Sequence, residues 1–90
     1  MSKMSNKFIE EVMEEEQRTR KLYPNFHSFH EAMSVIREEY EECWAHVKTN
    51  PYKAGITQKE YKKMMRSEAK QIAAMCVRYV EDLCTEDETK

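Results

Sequence analysis

The sequence predicts an all-α protein: a helical bundle of three main helices whose core is completed by oligomerisation. Three observations carry that expectation. The 90 residues contain one Gly and two Pro, too few for the frequent turns of an all-β chain. Glu, Lys, Met, Ala and Arg, the strong helix formers, are abundant. Apolar residues recur at steps of three and four through the second and third segments. The length sets one domain, residues 1–90. A chain this short buries only roughly 60% of its unfolded surface, so association would help it.

The first helix is expected over about 6–22, with Ser5 or Asn6 as its cap. Phe8, Ile9, Val12 and Met13 form a short apolar stripe. Beyond Met13 the helix is polar on all sides, running from Glu14, Glu15 and Glu16 to Arg18, Arg20 and Lys21. Such a stretch is expected to be solvated, or supported by pairs three or four apart. Pro24 stops it. The second helix, 29–48, starts at a capping-box pattern, Ser28 with Glu31 three residues on. Phe29, Met33, Ile36, Tyr40, Cys43 and Val47 then step by four and three, a sustained seam facing a partner helix. Thr49, Asn50 and Pro51 end it. The third helix, 58–84, opens on a second box, Thr57 with Glu60. Its seam is Tyr61, Met65, Ile72, Cys76, Tyr79 and Leu83. A short connection makes helices two and three antiparallel. Residues 85–90 read as a frayed acidic tail.

Charge and cysteine usage exclude several classes. The net charge of -2 disfavours a nucleic-acid-coating protein, which is usually strongly basic. No apolar run is long enough to span a membrane, and the start of the chain lacks an apolar signal region. Cys43, Cys76 and Cys84 form neither a disulfide framework nor a zinc spacing. Cys43 and Cys76 are expected as small buried hydrophobes in a reducing cytoplasm.

Carboxylates that break the binary pattern are the informative residues. With Ile36 at the centre of the second helix's buried face, Val35, Glu39, Glu42 and His46 share one flank, roughly 60–120° away. Glu68 falls roughly 40° from Ile72, inside the apolar arc of the third helix, and Gln71, Arg78 and Asp82 lie further out on the same side. An ionised carboxylate in a helix seam is costly unless paired or metal-bound. Glu39, Glu42 and Glu68 can therefore converge across the antiparallel pair, where a hard divalent cation resolves their repulsion. The plainer alternative is a solvated face with ion pairs, with Glu68 paired to a residue such as Arg37.

Glu38-Glu39-Tyr40-Glu41-Glu42 matches a Glu-Glu-x-x-Glu pattern, and Glu68-Ala69-Lys70-Gln71 sits where a Glu-x-x-Asp pattern begins the next long helix. With the lead-in from Leu22 to Ser28 and Trp44 after the first motif, residues 20–84 resemble the MazG-like, all-α nucleotide pyrophosphohydrolase family. The resemblance implies a helical bundle, usually a homodimer or homotetramer. It also implies Mg²⁺, with Mn²⁺ as the alternative, and hydrolysis of a nucleoside triphosphate to monophosphate and pyrophosphate. Carried over by position, Glu39, Glu42 and Glu68 would be metal ligands, Gln71 would stand at a fourth ligand position, and Glu38 would hold or activate a water. The family's Asp is Gln71 here, an amide that can ligate a hard cation but brings no charge and cannot act as a base. Small proteins of this type are frequent in phages and bacteria, which implies the cytoplasm of a bacterial or phage-infected cell.

Substrate contacts are expected from several side chains. Lys53, Lys63 and Arg66, with other basic residues, surround the start of the third helix, where phosphate is attracted. Trp44 is placed to stack a base, and Arg78 shares the flank of Glu68. Two other functions compete with hydrolysis. One is a nucleotide-binding or sequestering protein on the same scaffold, which Gln71 favours. The other is a structural helical interaction protein, in which the seams are only interfaces.

Overall fold

The structure, a computed structural model, describes residues 3–49 and 55–85. The described residues form α-helices α1 (Lys3–Leu22), α2 (Phe29–Lys48) and α3 (Gln58–Tyr79), and a π-helical turn, Val80–Cys84, that closes α3. No strand occurs among them. The second helix has the expected bounds; the first begins three residues earlier than expected. The third leaves α geometry after Tyr79, where Thr85 closes the wider turn by donating its backbone N–H and its hydroxyl to the Val80 carbonyl, both at 2.9 Å. The expected tail, 86–90, lies outside the described residues.

Local chemistry sets the helix starts. Thr57 and Glu60 form a complete capping box: Glu60 N–H donates to Thr57 Oγ1 at 3.1 Å, and Thr57 N–H donates to Glu60 Oε2 at 3.3 Å. At α2 the Glu31 N–H donates to Ser28 Oγ at 3.0 Å, but the Glu31 carboxylate accepts from His27 N–H instead, at 2.6 Å. That donor lies one residue before the cap. Gly55, at φ +79°, takes the left-handed conformation just before α3, which glycine adopts without strain.

α3 is the central element, and both other helices pack on it. Phe29 meets Tyr79 edge-on, with centroids 5.9 Å apart, while His46 meets Glu68, so α2 runs antiparallel to α3. Glu11 pairs with Arg66 and Arg20 with Asp82, so α1 runs parallel to it. The buried core is thin: Val12, Phe26, Ala32, Ala74 and Met75, with Phe8, Val35, Ile36, Ala73, Val77, Tyr79 and Leu83 packed around it.

Two expectations need correction. The first concerns the seam of α2. The face turned inward carries Ala32, Val35 and Glu39, rotated by roughly 60° from the seam's centre. Phe29, Met33, Tyr40 and Val47 remain exposed, Phe29 and Tyr40 at 56% each. A four-three repeat marks a helix that faces another helix but does not say in which chain the partner lies. For the same reason Cys76 is exposed and Cys43 only half-buried, where both were expected inside. The second correction concerns the polar half of α1. Glu16 and Thr19 are buried, not solvated, while the expected pairs three and four apart are present as Glu15–Arg18 and Glu16–Arg20.

A polar network explains that burial. Arg20 Nε donates to Glu16 Oε2 at 2.5 Å, and Arg20 Nη1 donates to Asp82 Oδ1 at 2.8 Å and to Asn25 Oδ1 at 3.1 Å. Asp82 Oδ2 also accepts from the Phe26 backbone N–H at 2.9 Å. Arg78 donates to the Pro24 carbonyl. The end of α3 thereby holds the α1–α2 connection against the bundle.

Candidate functional site

Glu39 and Glu42 lie one turn apart on α2, and antiparallel packing brings them to Glu68 on α3. Oxygens of the three carboxylates lie within 4.8 Å of one another. Glu39 and Glu68 are half-buried, and Glu42 is exposed. Glu39 Oε2 and Glu68 Oε2 are each buried with no hydrogen-bond partner. Burial raises the Glu39 carboxyl above its usual range, and the charges of Glu42, Glu68, Glu38 and Glu15 push it the same way. The other oxygen of Glu68 lies 3.4 Å from His46 Nε2. Arg37, the other pairing considered for Glu68, is engaged by Glu41 on its own helix at 2.9 Å.

A cavity of about 420 Å³ adjoins the triad at Glu39. It opens because α1 and α2 both pack on α3 and leave a gap between them. α1 contributes Glu15, Arg18 and Thr19; the connection contributes Tyr23, Pro24 and Phe26. The inner walls include Val35, Glu38 and Glu39 from α2, with Gln71, Met75 and Arg78 from α3. Glu15 and Arg18 are paired at 2.6 Å, and this hydrogen-bonded pairing holds Glu15 below its usual value. Arg78 is 3% exposed, with its guanidinium carbon 4.5 Å from the Phe26 ring centroid.

The expected site residues separate into groups. Glu39, Glu42 and Glu68 come together, and Glu38, Gln71 and Arg78 line the adjoining cavity. Lys63 and Arg66 lie elsewhere. They line a groove between α1 and α3 with Phe8, Ile9 and Met65, and Arg66 is engaged by Glu11 and by the Phe8 ring. Trp44 sits outside the cavity wall, with Lys48 Nζ 6.0 Å from its ring centroid. Lys53 lies outside the described residues.

Sequence reasoning missed the contribution of α1 and the connection: Thr19 follows Val12 by seven residues on its side of α1 but is polar, and Tyr23 and Phe26 lie beyond the helix in no helical period. The available signal was the interruption of a long charged helix by Pro24, between Tyr23 and Phe26 in the lead-in to α2. No family model matches the chain, and no curated protein or solved structure matches it either.

Proposed function

We propose that the protein is a metal-dependent nucleoside triphosphate pyrophosphohydrolase, releasing the monophosphate and pyrophosphate, and that it works as a homo-oligomer in the cytoplasm. The observation that carries this reading is the convergence of Glu39, Glu42 and Glu68 from two helices, within 4.8 Å. The donor set fits a hard divalent cation, Mg²⁺ or Mn²⁺: three carboxylates converge, and Glu39 and Glu68 each have a buried oxygen that lacks a partner. Glu39, Glu42 and Glu68 would hold it, with the Gln71 amide as the neighbouring neutral oxygen donor. When bound, such an ion stabilises charge on phosphoryl oxygens and lowers the pKa of a water.

The chain's own groups take the remaining roles. Glu38, exposed at the cavity wall, is the carboxylate to hold a water and accept its proton. His46 positions Glu68 through their 3.4 Å contact. Gln71 orients but does not exchange a proton. That same residue favours the second reading, nucleotide binding without turnover, because it withholds a charge and a base from the site.

The outer face supports the oligomer. Phe29, Met33, Tyr40 and Val47 stay exposed beside half-buried Ile36, Ile72 and Tyr79. The chain exposes 7140 Å², against about 5,600 Å² for a compact monomer of this mass. A second copy applying the same face would supply the two missing helices of a four-helix core.

Anion-exchange analysis of a nucleoside triphosphate panel, with Mg²⁺ and then Mn²⁺, tests the reaction. Monophosphate and pyrophosphate are expected, and Glu39→Gln and Glu68→Gln should abolish both. Calorimetric binding with no product from folded protein would instead select the sequestering function. Absence of both binding and product would leave the helical interaction protein.

A further inference from the structure

The groove between α1 and α3 shares no lining residue with the cavity beside the triad. It encloses about 970 Å³. α1 lines it with Phe8 and Ile9, and α3 with Tyr61, Met65, Arg66 and three lysines. Ile9 is 49% exposed, and Phe8 and Met65 are half-buried, so apolar surface stays open to solvent. The charge of Arg66 is already balanced, because Glu11 pairs with it and the Phe8 ring lies 5.1 Å from its guanidinium carbon.

The lysines differ from Arg66. Lys59, Lys62 and Lys63 are exposed and stand at i, i+3 and i+4 on one side of α3. None of them forms an ion pair among the described residues. Glu60, beside Lys59 in the chain, is committed to the capping box of α3. Like charges at these spacings destabilise a helix. They also run against the net charge of -2. An anionic partner relieves their repulsion, and its apolar groups cover Phe8, Ile9 and Met65.

The geometry restricts that partner. Along α3 the lining runs from Lys59 to Arg66, roughly 10 Å of helix rise. Apolar anchors at i, i+3, i+4 and i+7 of an amphipathic helix cover the same length. α1 lines the groove with no charged residue, so its uncompensated charge stands on the α3 side alone. The carboxylates of an occupant therefore belong along one flank of its apolar stripe. A recess between two helices receives a ridge of side chains better than a flat lipid surface. Residues 86–90 are acidic but hold no apolar side chain to fill it. We infer that the groove docks an acidic amphipathic helix of a partner protein, with its apolar stripe between α1 and α3 and its carboxylates against Lys59, Lys62 and Lys63. The groove's role is independent of the chemistry at the triad.

A designed peptide of about 15 residues probes it, with Leu at i, i+3, i+4 and i+7 and Glu along one flank. A twin carries Lys in place of Glu. Vesicles of phosphatidylcholine and phosphatidylglycerol offer anionic charge without a helix. Binding is followed by amide shifts of isotope-labelled protein. The acidic peptide should bind at roughly 100 µM or tighter, shift Ile9, Tyr61 and Met65, and weaken as salt rises. The lysine twin should bind at least about tenfold more weakly. That comparison needs only the wild-type chain. Ile9→Asp and the double variant Lys62→Glu/Lys63→Glu change exposed positions, and circular dichroism checks that both stay helical. Each should weaken the acidic peptide at least about fivefold, or about 1 kcal/mol.

No binding of the acidic peptide, equal binding of its twin, shifts confined to other surfaces, or wild-type affinity in both variants would overturn the inference. Vesicle binding in place of peptide binding would give the groove to a lipid surface. Loss of the assembly in Ile9→Asp, seen by sedimentation velocity, would give it to a second copy. Either outcome overturns the peptide assignment.

Discussion

Glu39 and Asp82 show how residues of one chemical type acquire opposite roles. Burial raises the Glu39 carboxyl, and Glu42, Glu68, Glu38 and Glu15 raise it further. Its proton is then held more tightly in the folded chain than in the unfolded one. The Glu39 contribution to stability is therefore most favourable at low pH and falls as pH climbs from the ordinary carboxylate range through the raised value. Glu68→Gln removes one repelling charge. Metal-free protein should gain roughly 1 kcal/mol above that pH, seen in thermal melts across a pH series. Mn²⁺ should raise the melting temperature of wild type but not of this variant.

Burial alone would raise Asp82 too, but the Phe26 N–H and the Arg20 guanidinium outweigh it and hold it low. Its contribution is present above the unfolded carboxylate range and is lost as pH falls through the lowered value. Asp82→Asn should destabilise by about 2 kcal/mol at neutral pH and flatten the acid limb of the urea-midpoint profile.

The starts of α2 and α3 were legible at the element scale because capping is a local device, complete within four residues. Thr57→Ala breaks the reciprocal pair that opens α3. It should lower stability by about 1 kcal/mol in urea unfolding. Ser28→Ala should have a similar effect on α2, where Glu31 keeps its bond to the His27 N–H. The polar half of α1 was not legible. Glu16 and Thr19 follow Val12 by four and seven residues on the same side of α1, but their polarity hid that placement; Arg20 pairs with Glu16 there while binding Asp82, sixty-two positions from Arg20 in the chain. No local period encodes a partner at that separation.

Across the whole molecule, the shape is extended. The radius of gyration is 15.4 Å, against about 12 Å for a compact chain of this length. The exposed α2 seam should therefore be covered by a second copy. Sedimentation velocity should find a dimer or larger assembly, and Tyr40→Arg or Met33→Glu should shift it to monomer by placing a charge on that face. A monomer at micromolar concentration in wild type would refute the oligomer.

The sequence by itself determined three helices, the caps of the second and third, and the flanks that bear Glu39, Glu42 and Glu68; the cap expected for the first, Ser5 or Asn6, lies inside α1. Each of these follows from patterns within one helix: the 100° step per residue and the unpaired amides of the first turn. The triad was legible because antiparallel pairing of two neighbouring helices leaves little freedom in which flanks meet. Only the tertiary structure decided which face of α2 turns inward. The apolar seam and the acidic flank lie roughly 60° apart on the helix, and both are compatible with a helical partner. The cavity, too, needed the tertiary structure. Its walls come from all three helices and the connection, and that gap exists only once α1 and α2 have both packed on α3.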